Sequence, residues 1–340
     1  MLDALSAWLT GQLGTPCELV PRGGPVGAGL SSETIVFGLV GDDDREYVLR
    51  LPPPPDAFPL FPRYEVDRQV RALRAVHRHG AVPVPNVPWF EPDPAPLGAP
   101  FFVMERIDGQ PVPDIPPYVF GSWLTESTPE ELGRVGAGMV DVLAGVHDVP
   151  VTGLDLELTA PGESPLVRHV ANQRSYYEWI RGGERFPLIE AAFAWLDRRW
   201  PSTEGPTVLS WGDARLANVL WRAHRPVAVL DWEAVAVGPR ELDLGWAIFF
   251  HEYFQRIAVR YGHPGLPGLL RRDEVVTAYE ARTGHTLEHL DWYLVYAELR
   301  QALTSIRVSS RAVHFGERSA PDDLQDLILE RSHLEEVLSR

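Results

Sequence analysis

The hydrophobic pattern of this chain changes near residue 105, and the change limits the folds open to it. Upstream, ETIVFGLV (33–40) and EYVLRL (46–51) are typical of strands joined by a polar turn. One amphipathic helix near residues 64–76 and two further strands within 81–107 complete this part. Downstream of Asp108, helical spacing dominates. We therefore predict an α+β fold with a small β-rich lobe (1–106), a larger mainly helical lobe (107–340) and a cleft between them.

Within the helical part, local signals set several boundaries. Thr128-Pro129-Glu130-Glu131 combines an N-cap residue, a proline at the first helical position and a glutamate three residues after the cap. This pattern predicts a helix that runs to His147. Further helices are predicted at 168–180 and 188–200, inside a helical insert at about 155–200, and at 242–254. Short strands are predicted at 208–211, 218–221 and 227–232.

The chain contains no lysine, so all 31 of its Lys+Arg residues are arginine. This excludes Schiff-base catalysis, pyridoxal phosphate chemistry and the lysine of a P-loop. A formal net charge of −16 disfavours nucleic acid and anionic membranes as partners. The expected partner is therefore a small molecule, and the oligomeric state stays open.

The N-terminus does not have the pattern of a signal peptide. It carries Asp3 without an early basic residue, and Leu2, Leu5, Leu9 and Leu13 fit one face of a short helix. A single cysteine, Cys17, cannot form an internal disulfide, and no apolar run approaches 18 residues. We therefore expect a cytoplasmic protein.

Two polar motifs interrupt apolar runs in the second half of the chain. WGDARLANVLW (211–221) places Asp213 and Asn218 five positions apart, and VAVLDWE (227–233) places Asp231 at the end of the next apolar run. Phosphoryl transfer depends mostly on positioning and charge neutralisation. It needs a carboxylate that accepts a hydroxyl proton and hard oxygen ligands that hold Mg²⁺ against the phosphates. These three residues can supply both.

The two motifs resemble the catalytic and metal loops of the aminoglycoside phosphotransferase-like kinases, which are small-molecule relatives of the protein kinases. The resemblance implies a protein-kinase-like fold that binds ATP, with GTP as the alternative, and Mg²⁺. It implies Asp213 as the catalytic base and Asn218, Asp231 and Glu233 as metal ligands. It also implies that Asp243, in GPRELDLGWAI, supports the catalytic loop.

Upstream segments extend the resemblance to the nucleotide site. GGPVGAGLSSETIVF (23–37) resembles the family's nucleotide loop, in which Ser31 and Ser32 would approach the phosphates. EYVLRL resembles the strand that carries the phosphate-contacting lysine of kinases, and its candidate here is Arg50, as in the family's acyl-CoA dehydrogenase-linked branch. FFVMERIDGQ resembles the hinge, where the backbone of Glu105 and Ile107 would bond adenine.

The sequence departs from the family pattern in two ways. Trp211 replaces the usual histidine before Gly-Asp, and we expect it to pack and brace the loop. Arg215, in the same motif, is a candidate for contact with a phosphate, and a surface salt bridge is the alternative. The acid that should pair with Arg50 is open, because Glu65 and Asp67 lie near the expected place while Gln69 fits the register.

The predicted function is ATP-dependent phosphoryl transfer to a hydroxyl of a small molecule. Residues 155–200 hold seven acids and six arginines, a net charge of −1, together with many aromatic residues. We therefore expect a partly apolar alcohol as acceptor and weak or absent phosphorylation of aminoglycosides. The alternatives are a hydroxyacyl-CoA kinase of the same fold and a catalytically inactive nucleotide-binding module.

Overall fold

A computed structural model describes residues 1–23 and 31–340. Among these residues, strands of one antiparallel sheet form the N-terminal part, and helices form most of the remainder. The predicted α+β class with two lobes is confirmed. The division of the chain at residue 106 stays a prediction.

The N-terminal sheet has five strands within the described residues, in the spatial order β1-β2-β3-β5-β4. Their bounds are β1 Leu19–Pro21, β2 Glu33–Leu39, β3 Asp42–Leu51, β4 Trp89–Glu91 and β5 Phe101–Glu105. On the central strand β3, Arg50 lies opposite Thr34 on one side and Phe102 on the other. Arg50 is therefore held on a strand that is paired along both edges.

Helix α1 (Leu2–Leu13) covers one face of this sheet. Leu5 and Leu9 are fully buried against Phe37, Leu49 and other apolar strand residues. Leu13 is 42% exposed, so the predicted leucine stripe is buried only in its middle. The burial of two leucine side chains contributes on the order of 3–6 kcal/mol before the entropy of ordering is subtracted.

Helix α2 (Val66–His79) packs differently, because its apolar residues belong to the main core that lies largely in the C-terminal lobe. Val70, Leu73 and Val76 share that core with Met139 and Leu143. The helix therefore links the two lobes, since it lies between β3 and β4 in sequence but is buried against the second lobe.

The C-terminal lobe is built from helices whose starts carry recognisable signals. Thr128 accepts a hydrogen bond from the Glu131 backbone N–H and Glu131 bonds back to the Thr128 N–H, as predicted. Removing such a cap typically costs about 1 kcal/mol. The helices are α3 Pro129–His147, α4 Pro165–Arg181, α5 Pro187–Arg198, α6 Glu241–Arg260, α7 Arg272–Thr283, α8 Leu290–His314 and α9 Arg331–Ser339.

Helices α4 and α5, which lie within the predicted helical insert, share a second hydrophobic core with α8. Helices α4 and α5 pack on α8, and most of the insert's aromatic side chains are buried there. The buried aromatics are Tyr176, Tyr177, Phe186, Phe193 and Trp195. The insert is therefore held against α8 by hydrophobic contacts, and these aromatic rings are largely core residues.

Short strands carry the polar motifs. They are β6 Thr207–Ser210, β7 Val219–Arg222, β8 Arg225–Val229 and β9 Ala236–Pro239. Strand β6 pairs with β9, a strand that the sequence did not predict, and β7 pairs with β8. These pairings bring the loop after β6 next to the loop after β8. In the part of the chain that the structure describes, three short 3₁₀ helices lie at Pro55–Ala57, Leu216–Asn218 and Leu324–Leu327.

Candidate active site

The loop between β6 and β7, residues 210–218, is here called the Asp213 loop. It turns sharply at Gly212, which has φ +87°. A Cβ atom at this position would lie 2.1 Å from the Ala234 carbonyl oxygen, so only glycine fits. Trp211 is fully buried and its Nε1 donates to the Leu230 carbonyl at 2.8 Å. The expected bracing role of Trp211 is thus confirmed.

The carboxylate of Asp213 is held by three side chains. Trp246 Nε1 donates to Oδ1 at 2.7 Å, and Asn218 Nδ2 donates to Oδ2 at 2.6 Å. Arg215 Nε lies 3.0 Å from both oxygens. The side chain of Asp213 keeps 21% exposure, so the carboxylate is oriented but still open to the cleft.

Arg215 connects Asp213 to a second acid, Asp114, which lies in the segment after the hinge. Burial alone would lower the pKa of Arg215, but the charges of Asp213, Asp114 and Asp231 raise it above its ordinary value. Burial raises the pKa of Asp114, and Arg215 opposes that rise. Arg215 is therefore a permanent cation between two carboxylates.

A set of buried side chains, here called the loop support, lies beneath the Asp213 loop: Asp243, His147, Trp246 and Arg300. Asp243 accepts bonds from Ser210 Oγ (2.9 Å) and from the backbone N–H groups of Trp211 (2.7 Å) and Gly212 (2.9 Å). His147 contacts the same carboxylate at 3.2 Å. Burial would raise the pKa of Asp243, but the bonds from His147 and the two backbone N–H groups lower it, so the buried acid stays ionised.

Asp231 lies next to this loop, because the Leu230 N–H donates to the Asn218 carbonyl at 2.8 Å. Its backbone is left-handed, with φ +58°, which is uncommon for a residue other than glycine. Burial and the charge of Glu233 raise the pKa of Asp231 to about 7, although Arg50 opposes the rise. Burial and neighbouring carboxylates therefore outweigh the opposing charges of Arg50 and Arg215 at this side chain.

Arg50 and Glu233 form an ion pair across the cleft, here called the interlobe pair. Arg50 Nη2 lies 2.8 Å from Glu233 Oε1 and 3.2 Å from Ser32 Oγ, and Ser32 also bonds to Glu233. The acid beside Arg50 is thus Glu233 in this structure. Of the three candidates on α2 and just before it, Asp67 pairs with Arg71 and Gln69 is buried.

The remaining predicted nucleotide contacts lie at or just beyond the ends of strands. Glu105 ends β5, and its N–H donates to the Asn86 carbonyl at 2.9 Å, so its own carbonyl is the group left for a ligand. Ile107 follows in the connection between the lobes. Ser31 directly precedes Ser32, and residues 24–30 of the predicted nucleotide loop lie outside the described residues.

Sequence reasoning missed three side chains in this region: Asp114, Trp246 and Arg300. Trp246 carried a usable signal, because it follows Asp243 by three residues on α6 and therefore shares its face of the helix. Asp114 and Arg300 had no such sequence signal, since each contacts the Asp213 loop from a segment that is distant in sequence.

Across residues 1–23 and 31–340, no helix is long and apolar enough to cross a membrane. In the same ranges, no group of three or more His, Cys, Asp or Glu side chains is arranged as a metal site.

Curated proteins with similar sequences are longer than this chain. The probable acyl-CoA dehydrogenase IBR3 of Arabidopsis thaliana is 27% identical over 304 residues, which cover 84% of this chain and 36% of the relative. Acyl-CoA dehydrogenase family member 11 of Homo sapiens is 27% identical over 209 residues, which cover 61% of this chain and 25% of the relative. The chain thus spans about a third or less of the length of these relatives.

Solved structures match over nearly the whole chain. A Ralstonia eutropha protein named after the aminoglycoside phosphotransferases has a TM-score of 0.69 at 23% identity, covering 99% of this chain and 96% of that one. A mutant of aminoglycoside phosphotransferase APH(4)-Ia, solved with ADP and hygromycin B, has a TM-score of 0.58 at 16% identity, covering 99% and 98%. These similarities show a shared kinase-like fold.

The sequence model of the phosphotransferase enzyme family matches residues 25–275, a range that contains the Asp213 loop, the interlobe pair and most of the loop support. Because this match covers well over half of the chain and the fold agrees, the chain belongs to the phosphotransferase enzyme family.

Proposed function

We propose that this protein transfers the γ-phosphoryl group of ATP to a hydroxyl group of a small molecule, with Mg²⁺ as the cofactor. The observation that carries the proposal is the oriented carboxylate of Asp213, which three side chains hold at the cleft beside Asp231. Membership of the family supports a small-molecule phosphotransferase. The nucleotide, the metal and the hydroxyl acceptor are the finer parts of the proposal.

Asp213 would act as the general base. Its carboxylate would accept the proton of the acceptor hydroxyl while the hydroxyl oxygen forms a bond to the γ-phosphorus. The bond between that phosphorus and the β–γ bridging oxygen would break, and ADP would leave. Arg215 would supply a fixed positive charge beside this reaction, since it already contacts Asp213.

The residues beside Asp213 fit a magnesium ion. Asn218 uses its Nδ2 for Asp213, which leaves the amide oxygen for a cation, and Asp231 is a buried carboxyl near two further acids, Asp213 and Glu233. Such hard oxygen donors suit Mg²⁺, which commonly binds one or two carboxylates plus phosphates. When bound, the ion would neutralise charge on the phosphates. Glu233 would join this set once it is released from Arg50.

Arg50, Ser31 and Ser32 would contact the phosphates, and the Glu105 carbonyl with the Ile107 backbone would bond the base. ATP is the proposed nucleotide, and GTP is the alternative. Phosphate groups would compete with Glu233 for the Arg50 guanidinium, because both are anions at the same donor. Nucleotide binding would therefore break the interlobe pair.

The acceptor we propose is a partly apolar alcohol. In the predicted insert, each arginine that lines the groove of about 430 Å³ between α4 and α5 is paired with an acid, so this part of the chain has little net attraction for a polycation. The pairs are Arg174–Asp197, Arg181–Glu178 and Arg185–Glu190. A hydroxyacyl-CoA is the second candidate, favoured by the similarity to acyl-CoA dehydrogenase family members.

Two measurements test the proposal. Mg²⁺ with ATP at 100 times the dissociation constant should raise the free energy of unfolding by about 2.7 kcal/mol. The Asp231→Ala variant should lose most of this stabilisation. If neither ATP nor GTP moves the melting curve of the wild type, the kinase proposal and the alternative of an inactive nucleotide-binding module both fail.

A panel of acceptors should then be assayed side by side: kanamycin-like cations, neutral alcohols and hydroxyacyl-CoA. We expect phosphate transfer to an uncharged or partly apolar alcohol and little transfer to the cations. Efficient, salt-sensitive transfer to the cations would instead identify antibiotic modification as the activity.

A further inference from the structure

Arg300 has no part in the reaction proposed above, yet it lies directly beneath the Asp213 loop. It belongs to α8 and is only 7% exposed. Its Nη2 donates to the Gly212 carbonyl at 2.7 Å, and its guanidinium carbon lies 4.1 Å from the centre of a Trp246 ring. One side chain thus contacts both the backbone before Asp213 and the indole that bonds to Asp213.

The burial of this cation is unusual. Within the described residues, no carboxylate pairs with Arg300, and its polar contact is the carbonyl of Gly212. Burial lowers the pKa of Arg300, and the charges of Tyr296, Asp213 and Asp243 oppose that change. Burying a cation without a paired carboxylate carries a large cost of desolvation. Such a group is more typical of a functional site than of a core.

We propose that Arg300 is a positioning residue for Asp213: it fixes the Gly212 carbonyl and the plane of the Trp246 indole, and through them the orientation of the Asp213 carboxylate. The inference deepens the proposed function and, as a statement about catalysis, rests on it. The geometry behind it, a stacked indole that donates to Oδ1 while Asn218 holds Oδ2, does not depend on the reaction.

Two effects follow from removing the guanidinium. The Trp246 indole loses the cation that stacks on it, so the ring can rotate and its N–H can leave Oδ1. The Gly212 carbonyl loses its donor, so the sharp turn before Asp213 is held less firmly. Both effects misplace the base without touching the nucleotide contacts at Arg50. The loss should therefore appear in kcat and not in KM for ATP.

A matched control exists on the same helix. Arg307, seven residues further along α8, also stacks on aromatic rings, Phe58 at 3.7 Å and Trp179 at 4.3 Å. It likewise donates to a backbone carbonyl, that of Pro59, at 2.9 and 2.7 Å. These contacts lie away from the Asp213 loop, so Arg307→Met removes a similar side chain in a similar setting.

The first measurement is an NMR test of the hydrogen bond between the Trp246 indole and the Asp213 carboxylate. The indole ¹H–¹⁵N signal of Trp246 is assigned by its disappearance in the Trp246→Phe variant. Arg300→Met should move this signal towards that of an indole without a carboxylate acceptor, whereas Arg307→Met should leave it in place. An unmoved signal in Arg300→Met would overturn the inference, whatever the reaction turns out to be.

The second measurement is steady-state kinetics on the full chain with Mg²⁺ and ATP, using the best acceptor of the panel, or water if hydrolysis is faster. Arg300→Met should lower kcat about 10–100-fold, as expected when a catalytic group is misplaced, with KM for ATP changed less than about 3-fold. Arg307→Met should keep kcat within about 3-fold. Equal losses of kcat in the two variants would show that Arg300 has a structural role and does not position Asp213.

Arg300→Lys keeps the charge and a donor but loses the planar stacking group, so it should restore part of kcat and part of the Trp246 signal. If Arg300→Met does not fold, this variant decides: wild-type kcat together with an unmoved signal would overturn the inference. A wild type that transfers no phosphate to any acceptor or to water would instead refute the proposed function, and the Trp246 signal would still report whether Arg300 positions Asp213.

Discussion

The loop support and the interlobe pair are both polar, and both lie at the cleft, but they are built in opposite ways. Asp243 alone accepts four hydrogen bonds, and the groups around it are fully buried. The interlobe pair joins residues 183 positions apart through one ion pair and one serine, and its two side chains keep 20% and 7% exposure.

The difference matches what each region would have to do. A general base must keep the same position in every turnover, because rates fall steeply when reacting groups are misplaced. A phosphate contact must release its partner whenever the nucleotide arrives. The fold therefore secures the Asp213 loop with several buried bonds and leaves Arg50 with one anion that a phosphate could replace.

The largest effect should come from the residue that the loop support holds. Asp213→Ala should lower kcat by about 10²–10⁴-fold, the usual cost of losing a general base, while nucleotide binding is retained. Turnover measurements test the expected loss of kcat, and calorimetry with Mg²⁺ and ATP tests whether nucleotide binding is retained. Asp141→Ala, which removes an exposed acid on α3, is the control. Near wild-type turnover in Asp213→Ala would remove Asp213 as the base.

Among the variants compared, removal of a residue of the loop support should lower the free energy of unfolding the most. Asp243→Ala leaves buried donors and His147 without their shared acceptor, so unfolding in urea should show a loss of about 3–5 kcal/mol. Asp197→Ala removes an exposed acid paired with Arg174 and should cost about 1 kcal/mol or less. Similar losses of unfolding free energy in the two variants would show that the buried loop support is no more important for stability than an exposed ion pair.

Acid should weaken the helix that carries Trp246 and Asp243. Burial lowers the pKa of His251 on α6 to about 4, and the ring contacts Tyr118 at 2.7 Å and the Leu266 carbonyl at 3.1 Å. Between pH 6.5 and 4 the unfolded chain binds one proton more than the folded chain, so stability falls as pH falls. The loss from this group should reach about 3 kcal/mol near pH 4.

The check on His251 is the free energy of unfolding measured from pH 7 to 4. His251→Gln should flatten this profile, and His79→Gln, at an exposed position on α2, should not. A profile with the same slope in His251→Gln and the wild type would show that His251 is not held neutral.

The smallest effect on the free protein should come from the interlobe pair. Arg50→Met should cost about 1 kcal/mol or less without nucleotide, because one partly exposed ion pair is lost. It should nevertheless weaken the binding of Mg²⁺-ATP about 10-fold or more, since charge-assisted hydrogen bonds contribute about 1.5–3 kcal/mol. Titration of both proteins with nucleotide measures the change.

Arg22→Met is the matched control for Arg50, because Arg22 forms a more exposed pair with Glu46 in the same lobe. If Arg50→Met destabilised the free protein strongly and left nucleotide affinity unchanged, the interlobe pair would be a structural contact like the loop support, and the comparison would fail.

By itself, the sequence determined the order of elements and the local geometry of the site. Strand pairs, the capped helix at 129–147 and the motif around Asp213 could be predicted, because each depends on residues within a few positions of one another. The Asn218 side chain reaches Asp213 inside one short loop, so spacing alone predicts that contact.

Only the tertiary structure decided which distant groups complete the site. Arg50 meets Glu233, Asp114 meets Arg215, and Arg300 meets Gly212 across separations of 183, 101 and 88 residues. No local pattern marks these pairs, because each depends on how two lobes or two helices are placed by packing elsewhere. The sequence therefore predicted the candidate site residues, whereas the packing of α6, α8 and the sheet decided what holds them.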